Sequence, residues 1–194
     1  MVKVILASKS KVRHEILKNN KINCAVEPSN IDEDPIKDSL MREGASPELV
    51  SKNLAEIKAN KVSLNKKGEI VLGADSVIDL NGEIISKPLD RDDAFKILKK
   101  LNGKKHYLIS SVCISKNGSM IWNFTEKASL TMKKMTDKEL KIYLDKITDD
   151  NLYAYNVYQI EGEGKFLFSE ISGNIETIMG LPIKQIKKYL EILK

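Results

Sequence analysis

Val2-Lys-Val-Ile-Leu-Ala-Ser-Lys-Ser-Lys-Val-Arg-His-Glu-Ile-Leu17 opens the chain with an apolar run, a polar break and then apolar residues at helical spacing. Val2 to Ala7 reads as a short buried strand, Ser8-Lys-Ser10 as a loop, and Val12, Ile16 and Leu17 as one face of a helix. The same alternation continues downstream. A second strand is expected at Asn23 to Val26, followed by an acidic loop without periodicity, Pro28-Ser-Asn-Ile-Asp-Glu-Asp-Pro35. Ser46-Pro47 starts a helix running to about residue 64. Glu69 to Leu72 and Ser76 to Leu80 read as strand segments interrupted by Gly73-Ala-Asp75, and Asn81-Gly82 turns the chain into Glu83 to Ser86. Asp90 caps a helix that Gly103 stops; Tyr107 to Ser115 and Met120 to Met132 form a hairpin through Asn117-Gly118. Thr136 with Glu139 makes a capping box, Lys165 to Ile171 is the last strand, and Pro182 opens a terminal amphipathic helix. Strands alternating with helices and mixed with hairpins predict an α/β fold around a mixed, twisted sheet flanked by helices.

The 194 residues suffice for one domain with a sizeable core, and 42% apolar against 30% charged residues exclude a disordered or fibrous chain. Cys24 and Cys113 stand far apart with no CxxC or Cys/His cluster, so the sequence reads as a protein of the reducing cytoplasm. No apolar run approaches the length of a membrane span or a signal peptide core, which predicts neither membrane insertion nor secretion. The net charge of +5 comes from 29 Lys and 3 Arg scattered among the acids, an arrangement that argues for a solvated surface and against a nucleic-acid partner.

Four places concentrate chemistry. Ser8, Ser10 and Arg13 stand between a strand and a helix start, where hydroxyls and free backbone N–H groups make an anion site; ordinary helix capping by either serine explains the same residues. Asp75, followed by Ser76, puts a carboxylate between apolar strand segments, where it needs a metal, a base or a reacting water, unless it only bonds its own turn. Lys58 falls among Leu54, Ile57 and Val62 on a helix, where it either binds phosphate or snorkels. Lys87, fixed by Pro88 just after a hairpin strand, is a phosphate ligand or a solvated lysine. His14 reads as exposed and His106 as structural. Trp122, Tyr153, Tyr155 and Tyr158 either stack on a base or pack the core and its rim. No Walker loop, GxGxxG or Ser/His/Asp order is present.

Taken in order, these segments resemble the Maf family of nucleoside triphosphate pyrophosphatases along essentially the whole chain. Leu6-Ala-Ser-Lys-Ser with Arg13 and Glu15 is similar to its opening phosphate loop, and Ile31-Asp32-Glu33 to its acidic loop. Leu54-Ala with Lys58-Ala59 resembles its lysine motif, Gly73-Ala-Asp-Ser76 its Gly-Ala-Asp-Thr, and Lys87-Pro88 its Lys-Pro. Gly173 with Met179-Gly-Leu-Pro-Ile183 resembles its C-terminal signature.

The resemblance implies a single Maf-like domain over residues 1–194, folded as two lobes around a central cleft and related in architecture to the inosine triphosphate pyrophosphatases. It implies hydrolysis of a nucleoside triphosphate to monophosphate and pyrophosphate, with Mg2+ or Mn2+ as the cofactor. In that scheme Asp75 is the proton acceptor and a metal ligand, Asp32 is a second metal ligand, and Ser8, Ser10, Arg13, Lys58, Ser76, Lys87 and Glu161 bind substrate. A homodimer is compatible with it.

Three departures bear on specificity. Lys11-Val12-Arg13 keeps only the second arginine of the family's Pro-Arg-Arg, and Ser76 replaces threonine. Tyr158-Gln-Ile-Glu161-Gly162 stands where members acting on thymidine and uridine triphosphates have Tyr-Gly-Ile-Gln-Gly, and the apolar residue 12 with Glu161 looks more like the branch acting on 7-methyl-GTP. That branch's Gly-Ser-Asp-Gln is absent. A nucleotide-binding regulator linked to cell division, without significant catalysis, is the rival reading.

Overall fold

The computed structural model describes residues 2–193, the side chains of residues 153–155 excepted. The base-stacking role raised for Tyr153 and Tyr155 lies outside the described residues. In chain order the elements are β1 (Val4–Leu6), α1 (Lys11–Asn19), β2 (Cys24–Val26), α2 (Glu33–Arg42), α3 (Pro47–Asn65), β3 (Ile70–Leu80), β4 (Glu83–Ile85) and α4 (Arg91–Leu101). Then follow β5 (Lys105–Lys116), β6 (Ser119–Met132), α5 (Asp137–Asp145), α6 (Asp149–Tyr155), a 3-10 turn (Glu163–Leu167), β7 (Phe168–Ser172), α7 (Ile175–Ile178) and α8 (Ile183–Ile192). The expected capping chemistry is in place: Asp90 accepts from the Asp93 N–H, and Thr136 with Glu139 closes a capping box.

One seven-stranded sheet organises the chain in the order β2-β1-β3-β5-β6-β7, with β4 also on β3. β1 is parallel to β2 and β3, and all other pairings are antiparallel. The mixed sheet agrees with the sequence reading; the break at Gly73-Ala-Asp75 does not. β3 runs unbroken from Ile70 to Leu80, because β5 pairs with it continuously from Val71 to Asp79. On the other edge, β1 pairs only with Ile70 to Leu72 and β4 only with Ile78 to Leu80. Residues 73–77 are therefore left without a strand partner on that edge, and the Ser8 loop enters the opening from one end while Lys87 enters from the other.

Alternation sorts the β3 side chains between two faces. Val71, Gly73, Asp75 and Val77 face α3. A Cβ on Gly73 would overlap the Ala55 carbonyl and lie 2.7 Å from the Ala59 amide nitrogen, so glycine lets the helix sit directly on the strand. Leu72, Ala74, Ile78 and Leu80 face the other way, into two separate apolar cores. Val4, Leu17, Leu72, Ile114 and Ile186 form one, and Ile78, Leu98, Leu108, Leu130 and Leu140 the other. The seam between these cores falls at Ser76 and its β5 partner Ser110.

Several elements differ from expectation: the strand read at Lys165 to Ile171 begins only at Phe168, after a 3-10 turn, and the short helices α2, α6 and α7 were not expected. α2 covers the end of the stretch read as an acidic loop and has no buried residue; Glu33 and Asp34 at its first turn and Arg42 at its last suit the helix dipole, and Ile36 and Leu40 rest on the Val50, Leu54, Val77 cluster. α6 is a short helix capped by Thr148, and α7 a single turn capped by Asn174. In α2, Pro35 in the first turn and a run of charged and polar residues mask an apolar face of only Ile36 and Leu40; α6 is a seven-residue helix, too short to show a period. His14 is half-buried rather than exposed, whereas His106 is buried, its Nε2 bonding the Tyr158 hydroxyl at 3.0 Å. Tyr158 is thus a core residue, and Trp122 stacks on Tyr189 against the first core. No helix of the described residues is long and apolar enough to cross a membrane.

Candidate active site

The α3 face of the open β3 edge carries a buried ion pair. Lys58 Nζ lies 2.8 Å from Asp75 Oδ1 and 2.9 Å from Glu33 Oε2, with the Lys58 and Asp75 side chains almost wholly out of solvent and Glu33 half-exposed. α3 positions the lysine because Leu54, Ala55 and Ala59 pin that helix to the sheet. Asp75 Oδ2 is buried and has no hydrogen-bond partner among the described residues. A carboxylate with one oxygen fixed by an ammonium and the other bare is a base held ready for an incoming proton donor, because an unpaired buried acceptor is otherwise costly. Ser51 Oγ donates to the Asp75 carbonyl at 3.2 Å and steadies the strand at this point.

At the open edge itself, Ser10 caps α1 by accepting from the Arg13 amide, and Ser8 Oγ accepts from the Ser10 amide at 3.2 Å. The capping alternative is thus realised, yet neither hydroxyl donates to an acceptor among the described residues. Arg13 reaches across the edge: Nη1 donates to Ser8 Oγ at 3.3 Å and the Ala74 carbonyl at 3.0 Å, Nε to the Gly180 carbonyl at 3.0 Å, and Nη2 to Ser76 Oγ at 3.0 Å. Desolvation lowers the Arg13 pKa, and the charges of Asp75 and Glu33 oppose that shift. Lys87, exposed at the far side of the opening, has its pKa lowered by desolvation first and then by repulsion from Arg13, with Glu33 pulling the other way and Lys58 and Lys37 adding to the repulsion. Arg13 and Lys87 therefore repel one another across the opening, while Lys58 alone contacts the Asp75 carboxylate, through Oδ1.

Not every expected residue joins them. Ser76 turns to the opposite face from Asp75, a consequence of the unbroken strand. Asp32 is exposed and makes no capping bond, whereas the next residue, Glu33, reaches Lys58. Glu161 is exposed on a cavity of about 400 Å3 lined also by Tyr143, Lys146 and Gln159, and no contact among the described residues links it to Asp75. The sequence reading assigned no role to Glu33, Ser51, Ser110 or Thr177; a place beside Asp32 in the acidic loop was the one signal for the first, and only the tertiary structure exposes the others.

Asp75 and Glu33 offer oxygen atoms of the kind that hard divalent cations take, although no group of three or more His, Cys, Asp or Glu able to hold a metal occurs among the described residues. Two carboxylates fit Mg2+, which completes its shell with water and phosphate oxygens.

The sequence matches the Maf-like protein family over residues 3–193. The chain belongs to that family. It is 66% identical over 195 residues to a nucleoside triphosphate pyrophosphatase of Pelagibacter ubique (strain HTCC1062), with all of both chains covered. It is 36% identical to a nucleoside triphosphate pyrophosphatase of Ruegeria sp. (strain TM1040), covering 96% of this chain and 94% of that one. A 7-methyl-GTP pyrophosphatase of Brucella abortus biovar 1 (strain 9-941) is 38% identical, covering 94% and 92%. Among solved structures, a HAM1 protein from Coxiella burnetii aligns over 70% of this chain and 75% of its own at 13% identity and a TM-score of 0.45.

Proposed function

We propose that this Maf-family chain hydrolyses a nucleoside triphosphate to the monophosphate and pyrophosphate, with water attacking the α-phosphorus. The observation that carries the reading is Asp75: buried, held through Oδ1 by Lys58, and bare at Oδ2. Oδ2 orients the attacking water and accepts its proton, while Lys58 keeps the carboxylate from rotating away. Arg13, Lys58 and Lys87 offset the charge of the triphosphate, and the hydroxyl protons of Ser8 and Ser10 donate to its oxygens. Asp75 and Glu33 would hold the divalent metal, in place of the Asp32 expected from sequence. When bound, that ion supplies Lewis-acid polarisation of the phosphoryl oxygens. The names of the relatives support the same substrate class.

Base choice is assigned to Glu161, supported by its exposed carboxylate on a cavity large enough to take a nucleobase; Oε1 accepts from Gln159 Nε2 at 3.3 Å, which leaves Oε2 to meet the base. A carboxylate only accepts hydrogen bonds, so it matches the paired donors on one edge of guanine, methylated or not, better than thymine or uracil. A cytoplasmic setting and a homodimer belong to the same proposal.

The test is turnover of GTP, 7-methyl-GTP, UTP and dTTP in 18O-water with Mg2+ or Mn2+, followed by mass spectrometry of the products. Label in the monophosphate with unlabelled pyrophosphate is expected; nucleoside diphosphate and orthophosphate as primary products, or binding without turnover, overturns the reading. The native chain should prefer the guanine nucleotides and Glu161→Gln should move that preference towards UTP and dTTP. An equal loss on all four would remove Glu161 from base selection.

A further inference from the structure

On the face of β3 opposite Asp75, four groups form a continuous hydrogen-bond chain whose direction is fixed by chemistry. Ser110 Oγ lies 2.7 Å from the Thr177 carbonyl oxygen and 2.8 Å from Ser76 Oγ, which in turn lies 3.0 Å from Arg13 Nη2. A carbonyl has no proton to give, so the single Ser110 proton goes to Thr177. Ser76 must then donate to Ser110, and Ser76 oxygen must accept from Arg13. The order is Arg13 N–H to Ser76, Ser76 O–H to Ser110, Ser110 O–H to the Thr177 carbonyl. Ser110 and Thr177 are fully buried, and the Thr177 hydroxyl is tied to the Glu126 carboxylate, so the end of the chain is anchored. Gly180, in the same turn at φ 98°, presents its carbonyl to Arg13 Nε.

Two consequences follow. The Ser76 hydroxyl has spent its proton inside the protein and cannot donate it to a phosphate, which removes it from the substrate-binding set expected from sequence. Arg13 uses four of its five N–H bonds on Ser8, Ala74, Ser76 and Gly180, so it cannot grip phosphate as a free two-pronged fork and acts through one remaining N–H and a charge whose direction is preset.

We propose that Ser110, through Ser76, is a positioning residue that locks the Arg13 guanidinium between the Ser8 loop and the 177–180 turn, and so sets affinity for the triphosphate. The proposal rests on the phosphate role given to Arg13 above. It does not involve Asp75, which lies on the other face.

The chain has only three arginines, so the side-chain Nε–H signals of Arg13, Arg42 and Arg91 are separable by 1H–15N NMR, the two exposed ones serving as internal references. In the native full chain Arg13 Nε–H should exchange with solvent more slowly than both. Ser110→Ala and, independently, Ser76→Ala should accelerate that exchange by about tenfold, the scale expected when a buried partner is orphaned. Both should raise KM for the triphosphate by a similar factor while kcat stays within about twofold. The double variant should be no worse than either single one, because both cut one chain. Unchanged Arg13 exchange in both variants would overturn the positioning role. Faster exchange with KM unchanged would instead overturn the phosphate role of Arg13, and a fall in kcat at constant KM would overturn the separation from Asp75.

Discussion

Replacing Asp75 with Asn keeps the shape of the side chain and removes its charge and its basicity, so it separates catalysis from folding. The stability cost can be bounded from the ion pair. Asp75 Oδ1 is 2.8 Å from Lys58 Nζ, but Glu33 Oε2 at 2.9 Å still compensates the ammonium after the substitution. The loss is then that of one hydrogen bond to a charged group, about 1.5–3 kcal/mol, rather than the 3–5 kcal/mol of an abandoned buried charge. In a chain of this length that corresponds to a fall in Tm of about 3–12 °C. Turnover is hit harder, because an amide at the Oδ2 position cannot take a proton: kcat for pyrophosphate release at saturating nucleotide should fall by about 10²–10⁴. Lys58→Met provides the contrast. It leaves two carboxylates that had shared one nitrogen facing each other, so it should destabilise more than Asp75→Asn, by about 3–5 kcal/mol in urea unfolding. Asp75→Asn with kcat within tenfold of native, or a stability order in which Lys58→Met is the milder change, would refute the reasoning.

Three further outcomes are expected. Glu33→Gln should weaken Mn2+ binding, read by electron paramagnetic resonance in the presence of nucleotide, by about tenfold, and Asp32→Asn should leave it unchanged; the reverse order would return the metal to Asp32. Lys87→Met should raise KM while leaving Tm at pH 7 within about 4 °C of native, because the ammonium is exposed and water screens its repulsion from Arg13; an unchanged KM would remove Lys87 from the phosphate site. His106 is held neutral by burial, its pKa pushed from 6.5 down to about 4, with the Lys104 backbone pulling weakly the other way. The unfolded chain therefore binds the extra proton first, and stability present above pH 6.5 should drain by about 3 kcal/mol as pH falls towards 4. His106→Phe combined with Tyr158→Phe removes both polar partners and should flatten that slope in urea unfolding across this pH window; an unchanged slope would assign acid sensitivity elsewhere.

Long, patterned elements were determined by sequence alone. The apolar spacing of Leu54, Ile57 and Val62, the caps at Ser46, Asp90 and Thr136, and the Asn-Gly turns at 81 and 117 act within a few residues, so local chemistry suffices to place α3, α4, α5 and the hairpins. Asp75 and Lys58 were also legible as charged groups in apolar settings, and Ser8, Arg13 and Lys87 as groups placed to meet an anion. Their partners were not. That Glu33 rather than Asp32 meets Lys58 depends on which residue of α2 faces α3, and that Ser76 belongs to Ser110 and Thr177 depends on β3 continuing straight through Gly73-Ala-Asp75. Side-chain alternation turns one missed residue of strand continuity into the opposite face of the sheet. Continuity here is imposed by β5, more than 30 positions away in sequence, and only the tertiary structure brings that strand alongside.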